Sequence, residues 1–326
     1  MHIRSPFHYI LILAILFVGM LIYFKIAGKY NIIDKPNQRS SHNYVTIRGG
    51  GIIYWLAGVL FSILHLPENI YFLIGLTLIC GVSFWDDISS LPNKVRIIIH
   101  FLSISLIFYG LGLYSLVPWW LILIAYIFFV GVLNAYNFMD GINGIMGWYS
   151  LVILVSLQYV NQKTVSFTEP DFINYAILAS IVFLFFNFRK RAKFFAGDIG
   201  SMAISLWIVT LLIRLMMKTE SFVWILFLAV YGIDVVCTIL HRIYLKQNIF
   251  EAHRLHFYQI LSNECKISHL KVSGIYAIVQ LIICAVTIYV YQTQILDWTI
   301  LFILSLFPLI LIYLLKFRLM KIKAYS

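Results

Sequence analysis

The chain has 326 residues, 62% hydrophobic and only 11% charged, with a mean hydropathy of +0.92. A soluble domain carries about 25% charged residues, so a water-soluble fold is excluded and a polytopic membrane protein is implied. The net charge of +11 is split among separate loops, which argues for membrane topology and against nucleic acid as a partner.

A helix needs about 20 apolar residues to cross a bilayer, fewer where polar groups face protein. Eleven segments qualify, at about 7–27, 49–65, 69–85, 95–113, 117–136, 145–160, 172–188, 199–216, 221–240, 272–291 and 297–316. The first is too long for a signal-peptide core and lacks a small-residue cleavage site, so it reads as a retained membrane helix. The expected fold is an all-α polytopic membrane protein of about 11 transmembrane helices, a single domain over 1–326. With eleven spans, 20 of the 24 Lys and Arg fall on one side and 4 on the other. Cytoplasmic loops carry the positive excess, so the C-terminus is expected in the cytoplasm and the N-terminus outside. Cys80, Cys237, Cys265 and Cys284 show no metal or disulfide spacing. The loops expected outside read as connectors, except for a longer polar stretch at 161–172.

Five cytoplasmic loops hold the chemistry. The first, "DKPNQRSSHNYVTIRGGG" (34–51), packs Asp34, Asn37, Arg39, His42 and Arg48 ahead of three glycines. Headgroup binding explains the bases but not the Asp, Asn and Gly. Glycines let backbone N–H groups approach an oxyanion. The second, "FWDDISSLPNKVR" (84–96), puts Asp86 and Asp87 at a helix C-terminus, where the dipole disfavours anions. Unless this is a solvated turn, a cation should sit nearby; Mg²⁺ commonly takes one or two carboxylates plus substrate phosphates. The third, "NAYNFMDGINGI" (134–145), spaces Asn134, Asn137 and Asp140 along one helix face before Asp-Gly and Asn-Gly turns. The fourth, "NFRKRAKFFAGDIGSM" (187–202), places Asp198 where the eighth span begins, a position that also suits a helix cap. The fifth, "HRIYLKQNIFEAHRLHFYQIL" (241–261), gathers His253, Arg254 and His256. Arg254 between the histidines disfavours zinc, and a phosphate-facing cluster fits better; an amphipathic interfacial helix is the simpler alternative. Asp234, inside the ninth span, is a functional candidate by position, or a partner for Arg242.

Acids for a metal and bases for oxyanions, on one membrane face, suit phosphoryl transfer. The sequence resembles the polyprenyl-phosphate N-acetylhexosamine-1-phosphate transferases, glycosyltransferase family 4. The likeness covers nearly the whole chain. It rests on Asp34–Gly51, Asp86-Asp87, Asn134-x-x-Asn137-x-x-Asp140-Gly141, Gly197-Asp198-x-Gly200-Ser201 and Ala252-His253-Arg254-x-His256.

The resemblance implies attack of undecaprenyl phosphate on the β-phosphate of a UDP-N-acetyl sugar, releasing UMP and leaving a lipid-linked sugar in the bacterial inner membrane. It implies Mg²⁺, with Mn²⁺ the other ion that would serve. Asp198, Asp140 and Asp87 are the implied metal ligands. Asp86 would deprotonate or orient the lipid phosphate with Asp87 assisting, and Asp140, His253 and His256 complete the catalytic set. Asn37, Arg39, His42, Arg48, Asn134, Asn137, Gly141, Asn143, Asn187 and Arg254 would bind substrate. A homodimer is compatible with it. The fifth loop lacks the triple-His pattern of the phospho-N-acetylmuramoyl-pentapeptide transferases and looks closer to the branch that starts O-antigen and other surface glycans. Val45 and Ile47 stand where relatives often have prolines, and Asn143 where many have Asp. The rival outside the family is a transporter or flippase of a lipid-linked anionic sugar, which should carry ionisable groups near the bilayer midplane.

Overall fold

The computed structural model describes residues 5–36, 44–248 and 253–324; Asn37, Arg39 and His42 lie outside them. Each of the eleven apolar segments is helical. The helices are α1 (Pro6–Lys29), α2 (Ile52–Leu64), α3 (Ile70–Ile88), α4 (Asn93–Gly110), α5 (Leu113–Leu116), α6 (Trp119–Phe138), α7 (Ile145–Lys163), α8 (Pro170–Asn187), α9 (Gly197–Thr219), α10 (Ala229–Tyr244), α11 (Phe257–Gln259), α12 (His269–Thr293) and α13 (Trp298–Ala324). A 3₁₀ segment, Phe222–Leu228, leads into α10, and a π turn, Ile260–Glu264, follows α11. Among the described residues, eight helical stretches are long and apolar enough to cross a membrane. The remaining three segments form α2, α4 and α7, which are shorter or more polar. This is a multi-pass membrane protein.

The reason is elementary. Lipid offers no hydrogen bonds, so an apolar run must satisfy its own backbone, and a helix does so. Prolines set the starts: Pro6 and Pro170 open α1 and α8, and Pro92 and Pro118 precede α4 and α6. Proline is tolerated there because the first helical N–H groups have no partner anyway.

Helix α9 is the axis. It packs against α2, α3, α6 and α7, and 89% of its most apolar stretch is buried, against 28% for α1 and 22% for α13. Small residues let α2 approach it: a Cβ added to Gly51 would lie 2.0 Å from the Gly200 Cα. Close backbone contact of this kind drives helix association in lipid.

Two features depart from the sequence reading. The first loop carries a two-residue antiparallel ribbon, Ile33–Asp34 with Thr46–Ile47, extended by a bridge from Ile47 to Phe194. The glycines that follow it do not form an oxyanion cradle. Gly50 N–H donates to the Phe195 carbonyl and Gly51 N–H to that of Ala196, each at 2.9 Å. Their missing side chains make room for Phe194 and Gly200.

Candidate active site

The second, third and fourth loops and the described part of the first meet at one end of the bundle, around Asp198. Its Oδ2 lies 3.1 Å from Arg96 Nη2 and its Oδ1 3.5 Å from Arg48 Nη2. Asn137 donates to Asp198 Oδ1 at 3.0 Å and to Ser201 Oγ at 3.2 Å. The helix-cap explanation of Asp198 therefore fails: Ala196 is the capping position, and the Asp198 side chain turns to other elements.

Asp87 is fully buried and holds the cluster to the scaffold. Arg48 Nε lies 2.7 Å from its Oδ1. The backbone N–H groups of Asp198 and Ile199 donate to its two oxygens at 2.9 and 3.2 Å. The carboxylate that sits unfavourably at the end of α3 thus meets the positive N-terminus of α9. Asp86 points to the other side, 3.0 Å from Arg96 Nη1, and accepts Leu91 N–H at 2.6 Å. The cations demanded by the acidic pair are Arg48 and Arg96. Arg96, which bridges Asp86 and Asp198, is the member of this cluster that the sequence alone does not single out; there it counts only toward the basic excess. Asp87, Asp198 and Asp34 raise the Arg48 pKa although burial works against the charge.

Gly197 is what lets α9 begin against Asp87. Its φ is +72°, and a Cβ there would lie 2.3 Å from Asp87 Oδ2. Left-handed backbone costs a side-chain-bearing residue about 1–2 kcal/mol, and the clash adds to it. Gly197→Ala should lower the unfolding temperature in detergent and detach Asp87 from the α9 N-terminus; an unchanged melting curve would show that the junction has slack.

Asp140 follows the end of α6 and is half-buried. Its side chain has no hydrogen-bond partner among the described residues. Burial, then the charges of Asp198 and Asp87, push its pKa well above the usual carboxylate range, with Arg48 opposing. Such a carboxylate suits a cation.

Other predicted residues divide. Asn134 bonds back to the Val130 carbonyl in its own helix. Asn143, 2% exposed, donates to the carbonyls of Arg189 and Lys190 and to Tyr44 Oη, bracing three loops. Asn187 accepts Gly144 N–H at 2.7 Å and donates to the Phe194 carbonyl at 2.8 Å. Both amides are built into the frame rather than offered to a ligand. Gly141 is exposed and abuts the Tyr258 hydroxyl, 2.1 Å from where a Cβ would stand. Tyr258 donates to the Phe138 carbonyl at 2.9 Å, which docks the fifth loop on the Asp140 turn. Burial, with the positive charges of Arg242 and Lys316, lowers the His253 pKa to about 3, which favours the neutral imidazole. Asp234 does not pair with Arg242; its basic partner is His256.

A different cluster lies at the far end. His65, Glu169 and Asp171 bring three ligand atoms within 4.8 Å of one another. Near them Arg214, sixteen residues beyond Asp198 on α9, donates to Thr168 and Asn69. At 1.5 Å per residue that is about 24 Å. No other described group gathers three such atoms this closely, so Asp87, Asp140 and Asp198 do not form a closed three-carboxylate cage. An open arrangement suits Mg²⁺, which keeps positions for water and substrate phosphate.

A family model described as glycosyl transferase family 4 matches residues 69–216, from α3 through most of α9. A phospho-N-acetylmuramoyl-pentapeptide-transferase of Thermotoga neapolitana is 31% identical over 242 residues, 66% of this chain and 76% of that protein. A probable undecaprenyl-phosphate N-acetylglucosaminyl 1-phosphate transferase of Bacillus subtilis is 26% identical over 257 residues, covering 73% and 71%. An undecaprenyl-phosphate alpha-N-acetylglucosaminyl 1-phosphate transferase of Salmonella typhi is 26% identical over 279 residues, covering 77% and 75%. The chain belongs to glycosyl transferase family 4.

Proposed function

We propose that the protein transfers N-acetylhexosamine 1-phosphate from a UDP-N-acetyl sugar to undecaprenyl phosphate in the bacterial inner membrane, releasing UMP. The observation that carries this reading is the cluster of Asp86, Asp87, Asp140 and Asp198 with Arg48, Arg96 and Asn137 at one end of a membrane bundle. We place that end in the cytoplasm, with eleven spans and the N-terminus outside, because the basic residues concentrate there.

The donor set fits a hard divalent cation. Asp198 and Asp140 would hold Mg²⁺, which when bound neutralises charge on the donor diphosphate. Asp87 is better suited to anchoring than to ligation, since Arg48 and two backbone N–H groups already engage it. Asp86, held by Arg96, is placed to orient or deprotonate the lipid phosphate. A phosphate oxygen of the lipid forms a new bond to the β-phosphorus, the bond from that phosphorus to the bridging oxygen breaks, and UMP departs with that oxygen. Arg48 and Arg96 position the phosphates and stabilise the equatorial charge.

An apolar path supports a lipid acceptor. Cavities of about 530 and 210 Å³ follow one another along α6, sharing Phe128 and Ile225, and the second reaches Tyr136, next to Asn137. The isoprenoid would lie there. The transporter reading is weakened because Asp234, the acid expected nearest the midplane, is bonded to the fifth loop. Within the family, the absent triple-His pattern and relatives acting on N-acetylglucosamine favour the surface-glycan branch over the pentapeptide branch. Membranes given UDP-[¹⁴C]GlcNAc should pass label into a solvent-extractable lipid. Label passing instead only from UDP-N-acetylmuramoyl-pentapeptide would assign the pentapeptide branch.

Metal binding should be linked to protons. Asp140 holds its proton to higher pH than an ordinary carboxyl, while Mg²⁺ favours the ionised form. Binding must then release a proton where Asp140 titrates, and apparent Mg²⁺ affinity must rise with pH. Calorimetry in two buffers of different ionisation enthalpy measures the release. Affinity independent of pH would contradict the role given to Asp140.

A further inference from the structure

Asp234 is 3% exposed and surrounded by donors. Phe257 N–H and Tyr258 N–H donate to its two oxygens at 2.9 and 3.3 Å, Tyr276 Oη donates at 2.7 Å and Thr238 Oγ1 at 3.3 Å. The fifth neighbour is His256 Nδ1, 3.3 Å from Oδ1. One carboxylate on α10 thus binds the start of α11 and also the imidazole that precedes it.

His256 is 2% exposed, stacked between Phe138 and Tyr258 at centroid distances of 6.1 and 5.9 Å, with the His253 ring 4.8 Å away. Its Nε2 is buried and has no hydrogen-bond partner among the described residues. Buried polar atoms are nearly always satisfied. Other buried side-chain atoms also lack partners among the described residues; this ring nitrogen stands apart because it lies beside the Phe138–Gly141 turn that carries Asp140, where Tyr258 docks.

We infer that Asp234 is a positioning residue. It makes Nδ1 the proton-bearing, protein-facing nitrogen of His256, and so leaves Nε2 as the nitrogen offered to the phosphate or sugar of the donor. The second half of this statement rests on the transferase reading. The partner on one ring nitrogen decides what the other can do. Asp234→Asn tests it because the amide keeps the shape and one acceptor oxygen. The oxygen facing Nδ1 also accepts Phe257 N–H, so the amide keeps its oxygen there and the bond from Nδ1–H loses its charge assistance.

The tautomer is read by ¹⁵N NMR of histidine-labelled full-length protein in detergent, with the His256 resonances assigned by their loss in His256→Gln. We expect a proton on Nδ1 and a bare Nε2 in the wild type, and in Asp234→Asn a weakened Nδ1–H bond, read as an upfield shift of the Nδ1 proton. A wild-type His256 with Nδ1 bare overturns the inference even if the variant fails to fold, and so does a folded Asp234→Asn with unchanged resonances. Activity supplies the second arm. Asp234→Asn and His256→Gln should each slow UMP release about 10- to 100-fold, the usual cost of removing the group that orients a functional imidazole. The double variant should be no slower than the slower single one, and losses that multiply overturn the inference. If wild-type protein releases no UMP from any UDP-N-acetyl sugar, the transferase reading fails, while the tautomer measurement still decides the role of Asp234.

Discussion

Asp198→Asn should abolish turnover while leaving the protein folded. The change removes the charge that Asp198 offers to Arg96 and Arg48, and in the proposed role to Mg²⁺, but keeps the volume and an acceptor for Asn137. Arg96 retains Asp86, and Arg48 retains Asp87, so no guanidinium is stranded. Losing one preorganised electrostatic contact to a reacting centre costs about 10²- to 10³-fold in kcat. We place Asp198→Asn at the upper end of that range because the proposed role makes Asp198 a metal ligand as well. The paired measurement is UMP release and the melting curve in detergent. A variant that melts normally and turns over at more than a tenth of the wild-type rate would remove Asp198 from the metal site.

Asp87→Asn should show the opposite balance, a stability loss as large as its effect on turnover. Asp87 joins α3 to the α9 N-terminus and to Arg48, and its side chain is wholly buried. Removing one partner of a buried ion pair costs about 3–5 kcal/mol. We expect the lower part of that range, since the Arg48 side chain is 34% exposed and keeps Asp198. Chemical unfolding in detergent checks it. If Asp87→Asn is as stable as wild type but inactive, Asp87 is a ligand or acid–base group, and the anchoring role assigned to it is wrong.

The two aspartates behave differently because of contacts that no local pattern reveals. Asp86-Asp87, Asn137-x-x-Asp140 and Gly197-Asp198 were legible because charged and amide side chains between long apolar runs are rare and need a partner. The helices were legible because lipid forces apolar runs into one backbone solution. Arg96 was not legible as a site residue, because its bridge from Asp86 to Asp198 depends on how α3, α4 and α9 pack. The glycines before α2 were misread for a similar reason. A glycine-rich loop beside a basic residue fits an anion cradle equally well, and only the bonds from Gly50 and Gly51 to Phe195 and Ala196 show that the N–H groups are taken. Asn143 and Asn187 carried the same ambiguity: a buried amide that braces loops and one that reads a nucleotide look alike in sequence. Asp234 was legible as unusual but not as a partner of His256, which lies 22 residues further along the chain.

Whether this membrane bundle moves a sugar phosphate from a nucleotide to a lipid phosphate is decided by UMP release from the purified protein in detergent, with UDP-GlcNAc and related UDP-N-acetyl sugars, with and without undecaprenyl phosphate and Mg²⁺. We expect release from at least one donor only when both lipid phosphate and Mg²⁺ are present. Folded protein that releases no UMP from any donor, or releases it equally without the lipid phosphate, would rule the transfer out.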